Sequence, residues 1–97
     1  MVMWFQIQIE SHQYSNSDGG YKITLTEPID SNATNIRLCV TSNMENGGYT
    51  EYPLTSISED VNLFIQSPRI TCSDLDVKYE LNGKTYLISG WNISCFE

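Results

Sequence analysis

The sequence predicts a mainly β protein: a small antiparallel sandwich or barrel of six to eight short strands, one domain over residues 1–97, with one short helix near 58–66. Three observations predict it. Val, Ile, Tyr, Phe, Trp and Thr supply 33 of the 97 residues and Ala33 is the lone alanine, a balance that suits pleated, half-buried surfaces. Apolar residues recur with period two in several segments. Polar stretches holding Gly, Pro, Asn and Asp separate those segments.

Taken in order, Phe5, Ile7 and Ile9 alternate with Gln6, Gln8 and Glu10, which predicts a strand over 2–10 with one wet face. Residues 11–20 are polar, end in Asp18-Gly19-Gly20, and read as a long, mobile loop. Tyr21, Ile23 and Leu25 alternate with Lys22, Thr24 and Thr26 in a second, antiparallel strand. Glu27-Pro28 opens a break that runs to Asn35, and Ile36, Leu38 and Val40 mark a third strand. Residues 42–48 form a loop and 49–55 a fourth strand. Pro53 has no N–H to give a ladder, so that strand belongs at an edge or carries a bulge.

Residues 56–66 fit two patterns. Ser56 and Glu59 have capping-box spacing, which favours a short helix through Val61, Phe64 and Ile65; Val61, Leu63 and Ile65 also fit a strand. The clearest signal lies in the last third. Leu75, Val77, Tyr79 and Leu81 alternate with Asp76, Lys78 and Glu80, and Asn82-Gly83 suits a type I′ turn, which accepts positive φ at both central positions. That register sets Tyr79 opposite Tyr86 and Val77 opposite Ile88. After Gly90 the apolar phase shifts to Trp91, Ile93 and Cys95, so Gly90 reads as a bulge or bend. Tyr21, Tyr79 and Tyr86 fall on core faces in this reading.

Twelve acids oppose five bases, for a net charge of −7 and a pI near 4.4. Backbone binding to nucleic acid needs Lys and Arg to displace counterions, so direct nucleic-acid binding is not expected, and anionic membranes are disfavoured for the same reason. No stretch has the roughly 20 apolar residues of a spanning helix. Met1-Val2-Met3-Trp4-Phe5 is short and has no basic lead-in, so it does not read as a secretory signal, and the expected setting is cytoplasmic. Cys39, Cys72 and Cys95 are an odd, widely spaced set, read as reduced and partly buried.

No constellation suggests catalysis, and no cofactor is expected. Ser11, His12 and Asp18 hold the residue types of a nucleophilic triad, but they fall in a polar loop where nothing holds them rigid. Scattered Cys and one His give no zinc spacing, and Asp74 and Asp76 lack the rest of a calcium loop. The informative feature is acid. From Leu38 to Pro68 there is no base, while Glu45, Glu51, Glu59 and Asp60 fall inside that stretch; Asp74, Asp76 and Glu80 share a strand face interrupted by Lys78. Alternate strand residues lie about 6.6 Å apart, a spacing like that of successive phosphates.

In length, surplus acid and lack of catalytic residues, the chain resembles small phage counter-defence proteins, including anti-CRISPR inhibitors that mimic nucleic acid. The likeness covers length and charge, with no motif behind it, so no residue role transfers. It implies a viral, non-enzymatic inhibitor that docks on the basic nucleic-acid-binding surface of a partner complex. Glu45, Glu51, Glu59, Asp60, Asp74 and Asp76 would meet Lys and Arg there, and Tyr49 or Tyr52 would add contact area. The competing expectation is a structural or adaptor β-module of a phage or secretion assembly, pairing through an open edge near residues 49–55.

Overall fold

Four hairpins build the fold, and three close on left-handed backbone. The structure, a computed structural model, describes residues 6–95. Its strands are β1 (Ile9–Ser15), β2 (Gly20–Leu25), β3 (Thr34–Ser42), β4 (Tyr49–Pro53), β5 (Ser56–Ser58), β6 (Asn62–Gln66), β7 (Ser73–Leu81) and β8 (Lys84–Ile93). Gly19, at φ 72°, closes β1–β2; Glu59 and Asp60, at 56° and 58°, close β5–β6; Asn82 and Gly83, at 54° and 80°, close β7–β8. A longer loop joins β3 to β4.

The hairpins interlock into two four-stranded antiparallel sheets, β1-β2-β6-β5 and β4-β3-β7-β8, with no helix among the described residues. This is the strand order of an immunoglobulin constant-type sandwich with β4 added at one edge. Period two sets the layers. Tyr21, Ile23 and Leu25 of β2 and Leu63 and Ile65 of β6 face Leu38 and Val40 of β3, Leu75 and Val77 of β7 and Ile88 of β8. Each such side chain contributes about 1.5–3 kcal/mol relative to leaving it in water.

The last third forms as its pattern predicts. Tyr79 pairs with Tyr86 and Val77 with Ile88, and the register slips between Leu75 and Val77, opposite Gly90. Pro53 closes an edge strand, as expected.

Four expectations are corrected. Residues 56–66 hold no helix: Ser56 pairs with Phe64 and Ser58 with Asn62 across a three-residue turn. The ladder that Leu63 and Ile65 make with Ile23 and Tyr21 of β2 outweighs a four-residue capping pattern. The first strand sits later than its apolar alternation implies. Part of the predicted 2–10 strand lies outside the described residues, and Ser11, His12, Gln13 and Tyr14, read as loop, pair with β2. The ring of Tyr86 shares the core-side register but stays 40% exposed, because β8 is an edge strand among the described residues and none of them lies beyond it to cover the ring. Finally, Cys72 and Cys95 are not thiols. They form a disulfide with Cα atoms 4.3 Å apart, and Cys39 alone is free among the described cysteines. The Ser73–Ile93 pairing carries the two chain ends past one another and brings both cysteines to the same corner. The bond lies at one end of the second sheet, not between the sheets.

Candidate functional site

The outer face of the second sheet gathers more of the predicted residues than any other surface. Register places Tyr49 beside Thr41 and Thr41 beside Asp74; one step on, Glu51 lies beside Cys39 and Cys39 beside Asp76. Tyr49 and Glu51 therefore stand two strands from Asp74 and Asp76, roughly 10 Å away. Leu87, opposite Lys78 on β8, projects from the same face and is 54% exposed.

Arg37 organises the centre of that face. Asn35, at φ 52°, sits in a bulge between Thr34 and Arg37, where the register shifts. Arg37 donates from Nε to Glu51 at 3.2 Å, and from Nη1 to Glu80 at 2.7 Å and to the Asn35 carbonyl at 2.9 Å. Asn35 donates its own amide to Glu80 at 2.9 Å. Tyr49 donates its hydroxyl to Glu51 at 2.6 Å, and the Cys39 thiol, facing outward yet 1% exposed, lies 3.7 Å from the same carboxylate.

The electrostatics follow from these contacts. The Tyr49 hydroxyl and then the Arg37 guanidinium hold Glu51 below the usual carboxylate range. The Cys39 thiol and the Glu51 carboxylate beside it raise the Tyr49 phenol above its usual value. Burial opposes the charge on Arg37, but Glu51 and Glu80 outweigh it and its pKa rises. Because the folded value of Glu51 lies below its unfolded one, it adds stability above its ordinary value of 4.5 and loses it as pH falls through the depressed folded value. Arg37→Gln is expected to make stability less steeply dependent on pH below about 4.5. Urea unfolding midpoints at several acid pH values check it; an unchanged slope would mean that Arg37 does not set this titration.

Asp74 and Asp76 are spent locally. Asp74 accepts the Asn92 amide at 2.8 Å, and Asp76 accepts the Gly90 N–H at 3.2 Å inside the β8 bulge. The other predicted residues lie elsewhere. Glu45 sits exposed in the β3–β4 loop at one end of the sandwich. Glu59 and Asp60 form the β5–β6 turn at the opposite end, where the Asp60 carbonyl accepts the Ile29 N–H at 2.9 Å and fixes the loop carrying Glu27 and Asp30 alongside. Tyr52 faces inward, half-buried beside Leu38. The six acids are thus divided among one face and two ends.

Sequence reasoning missed Leu87 and Arg37. Leu87 was legible: with Ile88 opposite Val77, its neighbour must face outward. Arg37 was not, because its place between Glu51 and Glu80 depends on the order β4-β3-β7.

His12 lies on a strand, not a loop. Its ring stacks on Trp91 at 4.2 Å and 11° beside a 260 Å³ cavity between β1 and β8 lined also by Tyr14, Tyr21 and Arg69, and burial lowers its pKa. Asp18 accepts from Ser15 and pairs with Lys22 in the β1–β2 turn. Among the described residues no three His, Cys, Asp or Glu side chains converge as metal ligands, and no helix is long and apolar enough to cross a membrane. No protein-family model, no curated protein and no solved structure matches this chain.

Proposed function

We propose that this protein is a non-enzymatic binding module that lays the outer face of its second sheet on a basic partner protein, as an inhibitor covering a surface that otherwise holds nucleic acid. One observation carries the reading: Tyr49, Glu51, Asp74, Asp76 and Leu87 share a single face of a chain with net charge −7. Carboxylates at the rim of such a face steer a cationic partner, and exposed Tyr and Leu supply contact area. Arg37 and Lys78 stand on the same face, so its charge is patterned rather than a plain run of negatives. That pattern suits a folded protein surface carrying both signs.

Paired Glu51→Lys and Asp76→Lys substitutions are expected to slow association at least tenfold at low salt, measured on variant protein that circular dichroism shows to be folded. Affinity purification from the native host at two salt concentrations, with wild type and the double variant side by side, checks it. Capture of a basic protein that is lost with salt and with the variant supports the reading. Capture indifferent to both, or none at low salt, overturns it. Displacement of the captured partner by nucleic acid tests the inhibitory form.

The disulfide favours a second reading, a structural or adaptor module of a virion or secretion assembly, because such bonds persist in oxidising compartments and are rare in reducing cytosol. Acid-quenched alkylation of whole cells separates the two: blocked Cys72 and Cys95 support the assembly module, and alkylated ones support the cytoplasmic inhibitor.

A further inference from the structure

Among the described residues the two sheets end in four edge strands, β1 and β5 in the first and β4 and β8 in the second. A bare edge offers a row of N–H and C=O groups to any other strand, and proteins blunt it with charge, proline or brevity. Three of these edges are blunted. β1 carries Glu10; β4 carries Glu51 and ends on Pro53; β5 is three residues long and runs straight into Glu59 and Asp60. β8 is different. It is ten residues long, its one charge is Lys84 at the end, and it leaves Tyr86 and Leu87 exposed. The bulge at Gly90 bends its far half, leaving Lys84–Ile88 as the regular stretch paired to β7.

We propose that two copies of this chain pair β8 against β8, antiparallel about a twofold axis, joining their second sheets into one continuous sheet. Charge selects a second copy as the occupant. Any contact between two chains of net charge −7 must avoid bringing carboxylates together, and residues 85–93 carry no charge at all. A register centred on Tyr86 sets Lys84 of one copy opposite Ile88 of the other. It keeps the two Lys84 backbone positions roughly 14 Å apart along the strands, beyond the screening length of about 8 Å at physiological salt. The same residues serve both sides, as a closed twofold contact requires. The inference stands apart from the basic partner proposed above, which meets the sheet's face and not its edge.

Sedimentation of the full chain over a wide concentration range tests it. The mass is expected to rise from 11.0 kDa to twice that value, with amide exchange over residues 84–88 slowing as the protein associates. Leu87→Lys, at an exposed site, sets like charges beside the axis and weakens association about tenfold or more. Thr85→Lys does the same if Leu87→Lys fails to fold, and Thr50→Lys, exposed on the far edge strand β4, leaves association unchanged. A constant 11.0 kDa overturns the proposal. So does a dimer that survives Leu87→Lys or dissolves with Thr50→Lys. Amide protection of residues 84–88 already complete in the dilute monomer also overturns it, because the edge would then be covered within a single chain.

Discussion

Serine at both Cys72 and Cys95 is expected to cost about 3 kcal/mol of unfolding free energy, and roughly 12–20 °C in melting temperature, for a chain of this size. The bond closes a loop with a sequence separation of 23, and removing it restores that loop's freedom to the unfolded chain. The native state loses little beyond the bond, because the β7–β8 ladder, Ser73 with Ile93 and Asp74 with Asn92, holds the same corner in register. The loss should therefore appear as a shifted midpoint with native secondary structure intact below it. Thermal melts of wild type with and without reductant, beside the double serine variant, check the prediction. Wild type that melts identically under both conditions would remove the disulfide from any account of stability.

Gly90→Ala is expected to destabilise by about 3 kcal/mol, the upper end of overpacking costs. A Cβ at Gly90 would fall on the Leu75 carbonyl and crowd the Asp76 Cα, and both are backbone atoms held in the sheet interior. Relief requires opening the bulge, which breaks the Gly90 N–H bond to Asp76 and moves Trp91 off its place opposite Leu75. Gly48→Ala is the control. It lies in an open loop where an added Cβ meets nothing within 4 Å, and it should stay within about 0.5 kcal/mol of wild type. Equal denaturation midpoints for the two variants would refute the packing argument.

Local signals were readable in the chain, and partnerships between distant segments were not. Asn82-Gly83 fixes its own turn, and the alternation on either side then dictates which residues face one another; the phase change at Gly90 marks the bulge without further information. Residues 56–66 show the opposite case. Ser56 and Glu59 offer a plausible helix start, yet Glu59 and Asp60 adopt the left-handed region so that Leu63 and Ile65 can join β2. That ladder spans some forty residues of sequence, and no short pattern announces it. β1 was misplaced because an edge strand wet on much of both faces, Ser11 to Gln13, has little apolar rhythm to show. Cysteine pairing was hidden by an odd count and by a corner that exists only once β7 and β8 are aligned. The candidate face was half legible. Its acids were visible, but their division among three places, and the placement of Arg37 between Glu51 and Glu80, depend on the strand order of the second sheet.

The position of the Cys72–Cys95 bond has a mechanical consequence. It joins the residue before β7 to one just past β8, so the final hairpin is a covalently closed ring. Tension applied at the carboxyl end passes through the sulfur bridge to Cys72 and bypasses β8. A pull from that side cannot peel the last strand away; it must load the segment between β6 and β7 and drag the ring out as one body. Under reducing conditions the same pull would unzip β8 residue by residue, at far lower force.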